Sequence, residues 1–239
     1  MKTVFITGGS RGIGRAMVQA FCEKGYQVAF TYRESHVDAK ALSDTTGALA
    51  ICADSQCENE ISRAVEIAKK KLGNIEILIN NAAVSSFSMV GDITIEEWRR
   101  TFAVNVDAAF LYTKAVLADM IKNKYGRIIN ISSMWGEVGS SCEVHYSASK
   151  AALIGMSKAL AKELGPSGIT VNCIAPGIIN TDMNGGVDKD VMAELIDETP
   201  LMRIGMPKDV ANAALFLAGE GASFITGAVL DVNGGFVIR

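Results

Sequence analysis

One stretch decides the fold: Val4-Phe5-Ile6-Thr7-Gly8-Gly9-Ser10-Arg11-Gly12-Ile13-Gly14. It begins with an apolar run that predicts a short buried strand, continues as a glycine-rich turn, and is followed by apolar residues at helical spacing up to Gly25. Glycines let the backbone approach a pyrophosphate, whose charge is stabilised by free N–H groups at a helix N-terminus. The spacing is G-x-x-x-G-x-G rather than G-x-G-x-x-G, but the strand–turn–helix context predicts a dinucleotide site rather than a plain turn.

The rest of the chain repeats this alternation of short apolar runs and helical patterns. Such alternation predicts an α/β fold, a single-domain Rossmann fold over residues 1–239 with a doubly wound, seven-stranded parallel sheet and helices on both faces. Ligands of such a sheet bind outside the carboxyl ends of its strands. The predicted strands are residues 4–6, 27–32, 48–53, 75–79, 128–131, 169–175 and 228–232.

Residues 182–206 do not follow the alternation. They contain Gly185-Gly186, a short polar helical pattern and several Met, and they follow the end of the sixth predicted strand. Because irregular segments at this edge often close over a ligand, we expect residues 182–206 to form a substrate lid.

Composition excludes several classes of protein. The 239 residues are 49% hydrophobic with a net charge of −3, so no basic field recruits nucleic acid or a membrane surface. No apolar run is long enough to span a bilayer, and the start of the chain reads as a strand rather than a signal peptide. Five scattered Cys suggest reduced thiols in a cytoplasmic protein, and two His make a His-based metal site improbable, so we expect no metal.

Tyr146 and Lys150 are the candidate catalytic pair. Four residues apart, they leave the same face of a predicted helix, and an ammonium near a phenol lowers the pKa of the phenol. Ser133 ends the fifth predicted strand, where its hydroxyl can bind a carbonyl that Tyr146 protonates. The alternative is an ordinary surface helix, but the glycine turn, Asp54, Asn80, Ser133 and Pro176 all fall at predicted strand ends, which favours a site.

The end of the second strand indicates which cofactor binds. An enzyme that uses NAD usually has an acid there to hold the ribose 2′-OH, whereas this chain has Thr31-Tyr32-Arg33. Arg33 and Arg11 can pair with a 2′-phosphate, so we expect NADP(H) rather than NAD(H). The alternative for Arg33 is a solvated loop charge, with Glu34 beside it.

Two further polar residues have open interpretations. Asp54 ends the third strand, where it either accepts a hydrogen bond from the adenine amino group or caps the next helix. Asn105 lies inside a long helix opened by a capping box at Thr94–Glu97, and a mid-helix Asn is mildly unfavourable. Asn105 therefore either serves a specific purpose, such as binding a water, or is a satisfied core residue.

Together these motifs resemble the classical short-chain dehydrogenase/reductases over the entire chain. The matching residues are Thr7-Gly8-x-x-x-Gly12-x-Gly14, Asn80-Asn81-Ala82-Ala83, Ser133, Tyr146-x-x-x-Lys150, and Pro176-Gly177 with Thr181. The resemblance implies that Tyr146 is the general acid/base, Ser133 orients the carbonyl, Lys150 binds the nicotinamide ribose and lowers the Tyr146 pKa, and Asn105 holds a water. Ser133 is preferred to Ser132 because the family places this Ser 13 residues before the Tyr.

The resemblance also implies a set of cofactor-binding residues, with the Ile179 backbone and the Thr181 hydroxyl near the nicotinamide amide. The set is Gly8, Ser10, Arg11, Gly12, Ile13, Gly14, Arg33, Asp54, Asn81, Ala82, Tyr146, Lys150, Pro176, Gly177, Ile179 and Thr181.

Within the family the chain looks most like the 3-oxoacyl-[acyl-carrier-protein] reductases of fatty-acid synthesis. The resemblance implies a carrier-protein-bound or small-molecule acyl substrate and a homotetramer or homodimer. Ser167 replaces a basic residue often used to dock the carrier protein, although Lys124 and Arg127 remain nearby. Glu143 and His145 depart from the usual Q-x-N before the Tyr. Glu143 can favour a hydroxylated or cationic substrate, and His145 is either a substrate contact or an exposed helix-start residue.

Two alternatives therefore stay open. One is a dehydrogenase or reductase of another secondary alcohol, such as a sugar, polyol, steroid or small ketone. The other is a non-catalytic module that senses NADP(H), which would have no need for the four residues of the predicted tetrad together.

Overall fold

A seven-stranded parallel sheet forms the centre of the protein. The computed structural model describes residues 1–182 and 188–238, and the strand order in its sheet is β3-β2-β1-β4-β5-β6-β7. Every neighbouring pair is parallel. The strands are β1 (Thr3–Ile6), β2 (Gln27–Tyr32), β3 (Leu49–Cys52), β4 (Ile77–Asn80), β5 (Gly126–Ile131), β6 (Ile169–Pro176) and β7 (Val229–Val232).

Helices cover both faces of this sheet. Buried side chains of α1, α2 and α9 pack on one face, and those of α3, α5 and α7 pack on the other. The helices of the described residues are α1 (Gly12–Glu23), α2 (His36–Thr46), α3 (Glu58–Leu72), α4 (Ile95–Phe102), α5 (Ala108–Asn123), α6 (Trp135–Val138), α7 (Val144–Leu164), α8 (Lys189–Asp197) and α9 (Pro207–Ala218). Within residues 1–182 and 188–238, no helix has the length and hydrophobicity needed to cross a bilayer.

The predicted fold class is confirmed, and all seven predicted strands are present. The fourth strand begins at Ile77 rather than at residue 75. Helix α2 was missed because His36–Thr46 carries few apolar residues, of which only Ala39 and Leu42 are buried. The long helix predicted through Asn105 is present, but its residues Ala103–Asp107 form a π-helix between α4 and α5.

The strand order places a crevice at the carboxyl edge of the sheet. The chain runs outward from β1 to β3 and then returns to β4 on the other side of β1, and connections that diverge in this way leave a crevice for a ligand. Part of the predicted lid borders this edge, since Ile179, which follows β6, forms an isolated β-bridge with Gly205. Gly185-Gly186 of the predicted lid lies outside the described residues.

Candidate active site

The glycine turn ends at a helix N-terminus that is open to an anion. Arg11 is the N-cap of α1 and makes no capping bond with its side chain, and the first turn carries no acid. The first N–H groups of a helix have no partner within it, so here they can bind a phosphate. Gly12 has a φ of +53°, and a Cβ added there would lie 3.3 Å from the Thr181 methyl group. The turn and Thr181, both predicted to bind cofactor, are therefore close together.

Hydrogen bonds hold the glycine turn against the segment that follows β4. The Asn81 side chain donates to the carbonyls of Thr7 at 2.9 Å and Gly8 at 3.1 Å. The Thr7 hydroxyl accepts from the N–H groups of Asn81 and Ala82, each at 2.9 Å. A Cβ on Gly14 would lie 2.1 Å from the Gly8 carbonyl oxygen, so only glycine fits there. This locking by Thr7 and Asn81 was not predicted, because it depends on the pairing of β1 with β4.

The two predicted 2′-phosphate ligands have different surroundings. The Arg33 guanidinium pairs with Glu34 at 2.6 Å and is 38% exposed. Arg11 lines a cleft of about 280 Å³ together with Arg100, Asp182 and residues 83–86. The roles of Arg11 and Arg33 toward a 2′-phosphate stay a prediction.

Asp54 does not cap helix α3. Its carboxylate accepts a hydrogen bond from the Gln56 N–H at 2.9 Å and closes a turn, while Cys57 is the N-cap of the helix. The Asp54 N–H donates to Glu60 at 2.8 Å. Of the two interpretations of Asp54, the one as a helix cap is wrong, and the one as an adenine contact stays a prediction.

Ser133, Tyr146 and Lys150 meet at the carboxyl end of β5. The Ser133 hydroxyl accepts a hydrogen bond from the Trp135 N–H at 3.1 Å and lies near enough to the Tyr146 hydroxyl to lower the pKa of that phenol. The Lys150 ammonium donates to the Ile131 carbonyl at 2.8 Å and lies 5.5 Å from the Tyr146 ring centroid. The Ser132 hydroxyl instead donates to the Lys150 backbone carbonyl at 2.9 Å. Ser133 is therefore the serine that faces the phenol.

The predicted lowering of the Tyr146 pKa is wrong for this structure. Burial, which disfavours the phenolate, raises the pKa of Tyr146 to about 12. The nearby Ser133 hydroxyl acts in the opposite direction, and the Glu143 carboxylate raises the pKa further. Burial also lowers the pKa of Lys150 to about 8. The phenol is consequently held in its protonated form at neutral pH.

Asn105 is a satisfied, buried residue. Its side-chain oxygen accepts from the Val84 N–H at 2.9 Å, and its amide donates to the Val84 carbonyl at 3.0 Å and to Ser149 at 2.9 Å. The Ser149 hydroxyl donates to the Tyr146 carbonyl at 2.7 Å. The side chain thus links the chain after β4 to the helix of Tyr146, and water binding by Asn105 stays a prediction.

Glu143 and His145 both contact the chain after β4. Ser85 donates to the Glu143 carboxylate at 2.6 Å, and the Ser86 hydroxyl lies 2.8 Å from His145 Nε2. The interpretation of His145 as an exposed helix-start residue is wrong, since it is 0% exposed. The sequence did not indicate this burial, because Val144 and His145 occupy adjacent helix positions and only packing decides which faces inward.

Gly136 is a site residue that the sequence did not reveal. A Cβ on it would lie 2.7 Å from the Lys150 carbonyl carbon, so glycine allows α6 to pack directly on α7 beside Lys150. Gly177 has a similar role, since a Cβ there would lie 2.7 Å from Asn233. Gly136 carries no sequence signal that distinguishes it from any other glycine, whereas Gly177 belongs to the Pro176-Gly177 motif.

Arg127 is not available to dock a carrier protein. It is 4% exposed, and its guanidinium lies 4.4 Å from the centroid of the Tyr125 ring and 3.7 Å from Glu220. Lys2 contacts the other members of this cluster, Tyr125 and Glu220. The interpretation of Arg127 as a docking residue is therefore wrong, whereas Lys124 is exposed.

Comparisons with known proteins identify relatives that match nearly the whole chain. A sequence model of a family described as enoyl-(acyl carrier protein) reductase matches residues 8–237. A 3-oxoacyl-[acyl-carrier-protein] reductase of Chlamydia trachomatis is 40% identical over 98% of this chain and 96% of its own length. The reductase of the same name from Escherichia coli is 38% identical over the same shares of the two chains.

A solved structure is similar as well. It is a blue fluorescent protein from a metagenomic library in complex with NADPH, with a TM-score of 0.93 and 39% sequence identity. The match covers 99% of this chain and 98% of the other.

Proposed function

The chain belongs to the short-chain dehydrogenase/reductase family, and on that premise we propose that it reduces the ketone of a 3-oxoacyl-[acyl-carrier-protein] to the 3-hydroxyacyl form with NADPH. The observation that carries this proposal is the convergence of Ser133, Tyr146 and Lys150 at the carboxyl edge of the sheet that also holds the glycine turn. The substrate comes from the names of the curated relatives.

The residues present fit NADP(H). The uncapped N-terminus of α1 suits the pyrophosphate. Tyr32 rather than an acid ends β2, and a 2′-phosphate could pair with Arg11 and with Arg33 once the Arg33–Glu34 pair opens. The similar structure that holds NADPH supports the same choice. Asn81, Ala82, Pro176, Gly177, Ile179 and Thr181 would line the rest of the cofactor. When bound, NADPH supplies the hydride that reduces the carbonyl carbon.

The protein's own residues bind and protonate the carbonyl oxygen. The Ser133 hydroxyl, whose oxygen accepts from the Trp135 N–H, donates a hydrogen bond to the carbonyl oxygen. The Tyr146 hydroxyl transfers its proton to the same oxygen, and its raised pKa keeps the proton in place until then. Lys150 would bind the nicotinamide ribose and, with a pKa of about 8, could supply the proton that restores Tyr146.

The proposal also covers the cellular location, the oligomeric state and the domain organisation of the enzyme. We infer a cytoplasmic homotetramer or homodimer that acts as one domain over residues 1–239, with a lid over residues 182–206. Free cysteines at positions 22, 52, 57, 142 and 173 are consistent with a reducing compartment. Exposed Lys124 replaces Arg127 as the candidate contact with the acidic carrier protein.

A panel of substrates tests this function. NADPH oxidation is followed by the absorbance of the reduced nicotinamide with acetoacetyl-CoA, with crotonyl-CoA and without substrate, and each assay is repeated with NADH. We expect turnover with acetoacetyl-CoA and NADPH only. Reduction of crotonyl-CoA instead would favour the double-bond chemistry in the family model's description. Turnover with NADH alone would overturn the 2′-phosphate proposal.

One observation favours a second candidate, the oxidation or reduction of another secondary alcohol. The Glu143 carboxylate acts on the Tyr146 hydroxyl and can accept hydrogen bonds from a hydroxylated substrate. The panel therefore includes small polyols and sugars with NADP⁺. Turnover of these without activity on acetoacetyl-CoA would replace the first candidate by the second.

A further inference from the structure

The chain after β4 contains an irregular segment, residues 84–89, which we call the 84–89 segment. It has no helix or strand. It also exposes apolar side chains, including Phe87 at 79% and Met89 at 61%. Neither regular backbone bonding nor burial of these two side chains fixes its conformation, so its position depends on individual hydrogen bonds.

Those hydrogen bonds lead to the start of the helix that carries Tyr146. Ser85 donates to Glu143 at 2.6 Å, Ser86 is bonded to His145 at 2.8 Å, and the Ser88 N–H donates to the Cys142 carbonyl at 2.8 Å. At its other end, Val84 is held through both backbone groups by Asn105. The 84–89 segment is therefore held between the start of the catalytic helix and the π-helix, which itself contacts the catalytic helix through Ser149.

His145 is the member of this set whose placement most needs an explanation. It is 0% exposed, Nε2 contacts Ser86, and Nδ1 has no partner within the described part of the chain. A buried polar atom without a partner costs free energy that an apolar side chain of similar size would not cost. The hydrogen bond to Ser86 is therefore the contribution that His145 makes and that an apolar side chain of similar size could not make.

The segment also lies beside the reacting group. Glu143, which holds Ser85, acts electrostatically on the Tyr146 hydroxyl. Ser85 and Ser86 also line the cleft that contains Arg11 and Asp182. A shift of these serines would thus change the shape of that cleft and release the Glu143 carboxylate, which acts on Tyr146.

We propose that His145 is a positioning residue that holds the 84–89 segment, through Ser86, as a wall of the substrate site, and thereby determines which substrate chain fits beside Tyr146. This inference rests on the proposed function for its kinetic consequence. It assigns no contact between His145 and the substrate.

The test compares His145→Leu, which removes the bond to Ser86, with His145→Gln, whose amide can still reach it. Ser88→Ala is the matched control in the same segment, because Ser88 contributes its backbone N–H. Hydrogen exchange of the 84–89 segment and steady-state kinetics with acetoacetyl-CoA are measured on each. In His145→Leu we expect the exchange rate of the 84–89 segment and the KM for acetoacetyl-CoA each to rise about tenfold. This factor corresponds to the free energy of one net hydrogen bond. We expect kcat and the KM for NADPH to stay close to wild type, and His145→Gln to restore the protection.

The proposal would be overturned if His145→Leu and Ser88→Ala had the same exchange rate in the 84–89 segment and the same KM for acetoacetyl-CoA. Faster exchange with an unchanged KM would overturn the role as a substrate wall. Should His145→Leu fail to fold, Ser86→Ala removes the same bond from the other side and makes the same comparison. A wild-type protein that reduces no carbonyl would contradict the proposed function, while the exchange data would still decide whether His145 holds the segment.

Discussion

The side-chain amide of Asn105 donates a hydrogen bond of 2.9 Å to the hydroxyl of Ser149. Ser149 in turn donates to the backbone carbonyl of Tyr146 at 2.7 Å. Both side chains are buried, at 1% and 0% exposure. The bond joins the π-helix, residues Ala103–Asp107, to the helix that carries Tyr146 and Lys150, so the backbone at Tyr146 is braced by a residue from a different element.

Replacing Asn105 with Ala should weaken both stability and catalysis. The change leaves both backbone groups of Val84 without their present partner, and the Ser149 hydroxyl loses the hydrogen bond that it accepts from Asn105. We expect the free energy of unfolding to fall by about 1–3 kcal/mol. We expect kcat to fall as well, because the brace on Tyr146 is lost, with little change in the KM for NADPH. Urea unfolding measures the stability, and steady-state kinetics measure kcat and KM. The control is Asn123→Ala, which replaces an exposed Asn. Equal effects in the two variants would contradict the role of Asn105.

Replacing Glu143 with Gln should shift the pH dependence of kcat. The Glu143 carboxylate raises the Tyr146 pKa, so its removal lowers that pKa, while the Gln amide oxygen can still accept from Ser85. Reduction requires protonated Tyr146, so activity is lost as pH rises through this pKa. In Glu143→Gln the loss should begin at lower pH than in wild type.

The control for this prediction is Glu163→Gln, an exposed carboxylate near the other end of the same helix. It removes the same charge at a distance of about 30 Å along the helix axis. A shift toward higher pH in Glu143→Gln, or equal profiles for the two variants, would show that the Glu143 charge does not act on Tyr146.

Replacing Arg127 and Lys124 one at a time should distinguish a loss of stability from a loss of carrier-protein docking. Arg127→Ala removes a cation–π contact with Tyr125 and should cost about 1–2 kcal/mol of stability. In Arg127→Ala, the KM for an acyl-carrier-protein substrate and the KM for acetoacetyl-CoA should change by the same factor. Lys124→Ala should raise KM for the carrier-protein substrate alone. A selective loss of carrier-protein binding in Arg127→Ala would restore Arg127 as a docking residue.

Much of the fold was predictable because its signals are local. The runs around Phe5, Phe30 and Ile129 are apolar on both faces of the sheet, which indicates buried parallel strands. Gly47 and Gly73 each lie directly after a helix. Helix α2 was missed because its apolar pattern is short. The fold therefore follows from residues that are close in sequence.

The site was predictable only in part, because its electrostatics and its supports are not local. Tyr146 and Lys150 are one helical turn apart, yet Lys150 donates to Ile131, and burial decides the pKa of Tyr146. The bond between Ser86 and His145 joins residues 59 apart in sequence. Spacing can predict which side chains share a helix face, but not the burial or the distant partners that determine their chemistry.

The measurement that tests the central claim most directly compares NADPH oxidation by wild type and Tyr146→Phe at saturating acetoacetyl-CoA. NADPH binding to each protein is followed by nicotinamide fluorescence, so that loss of chemistry is distinguished from loss of cofactor. If Tyr146 protonates the carbonyl oxygen, kcat should fall by about 10²–10⁴ with NADPH binding intact. A Tyr146→Phe protein that binds NADPH and keeps wild-type turnover would contradict the assignment of Tyr146 as the proton donor.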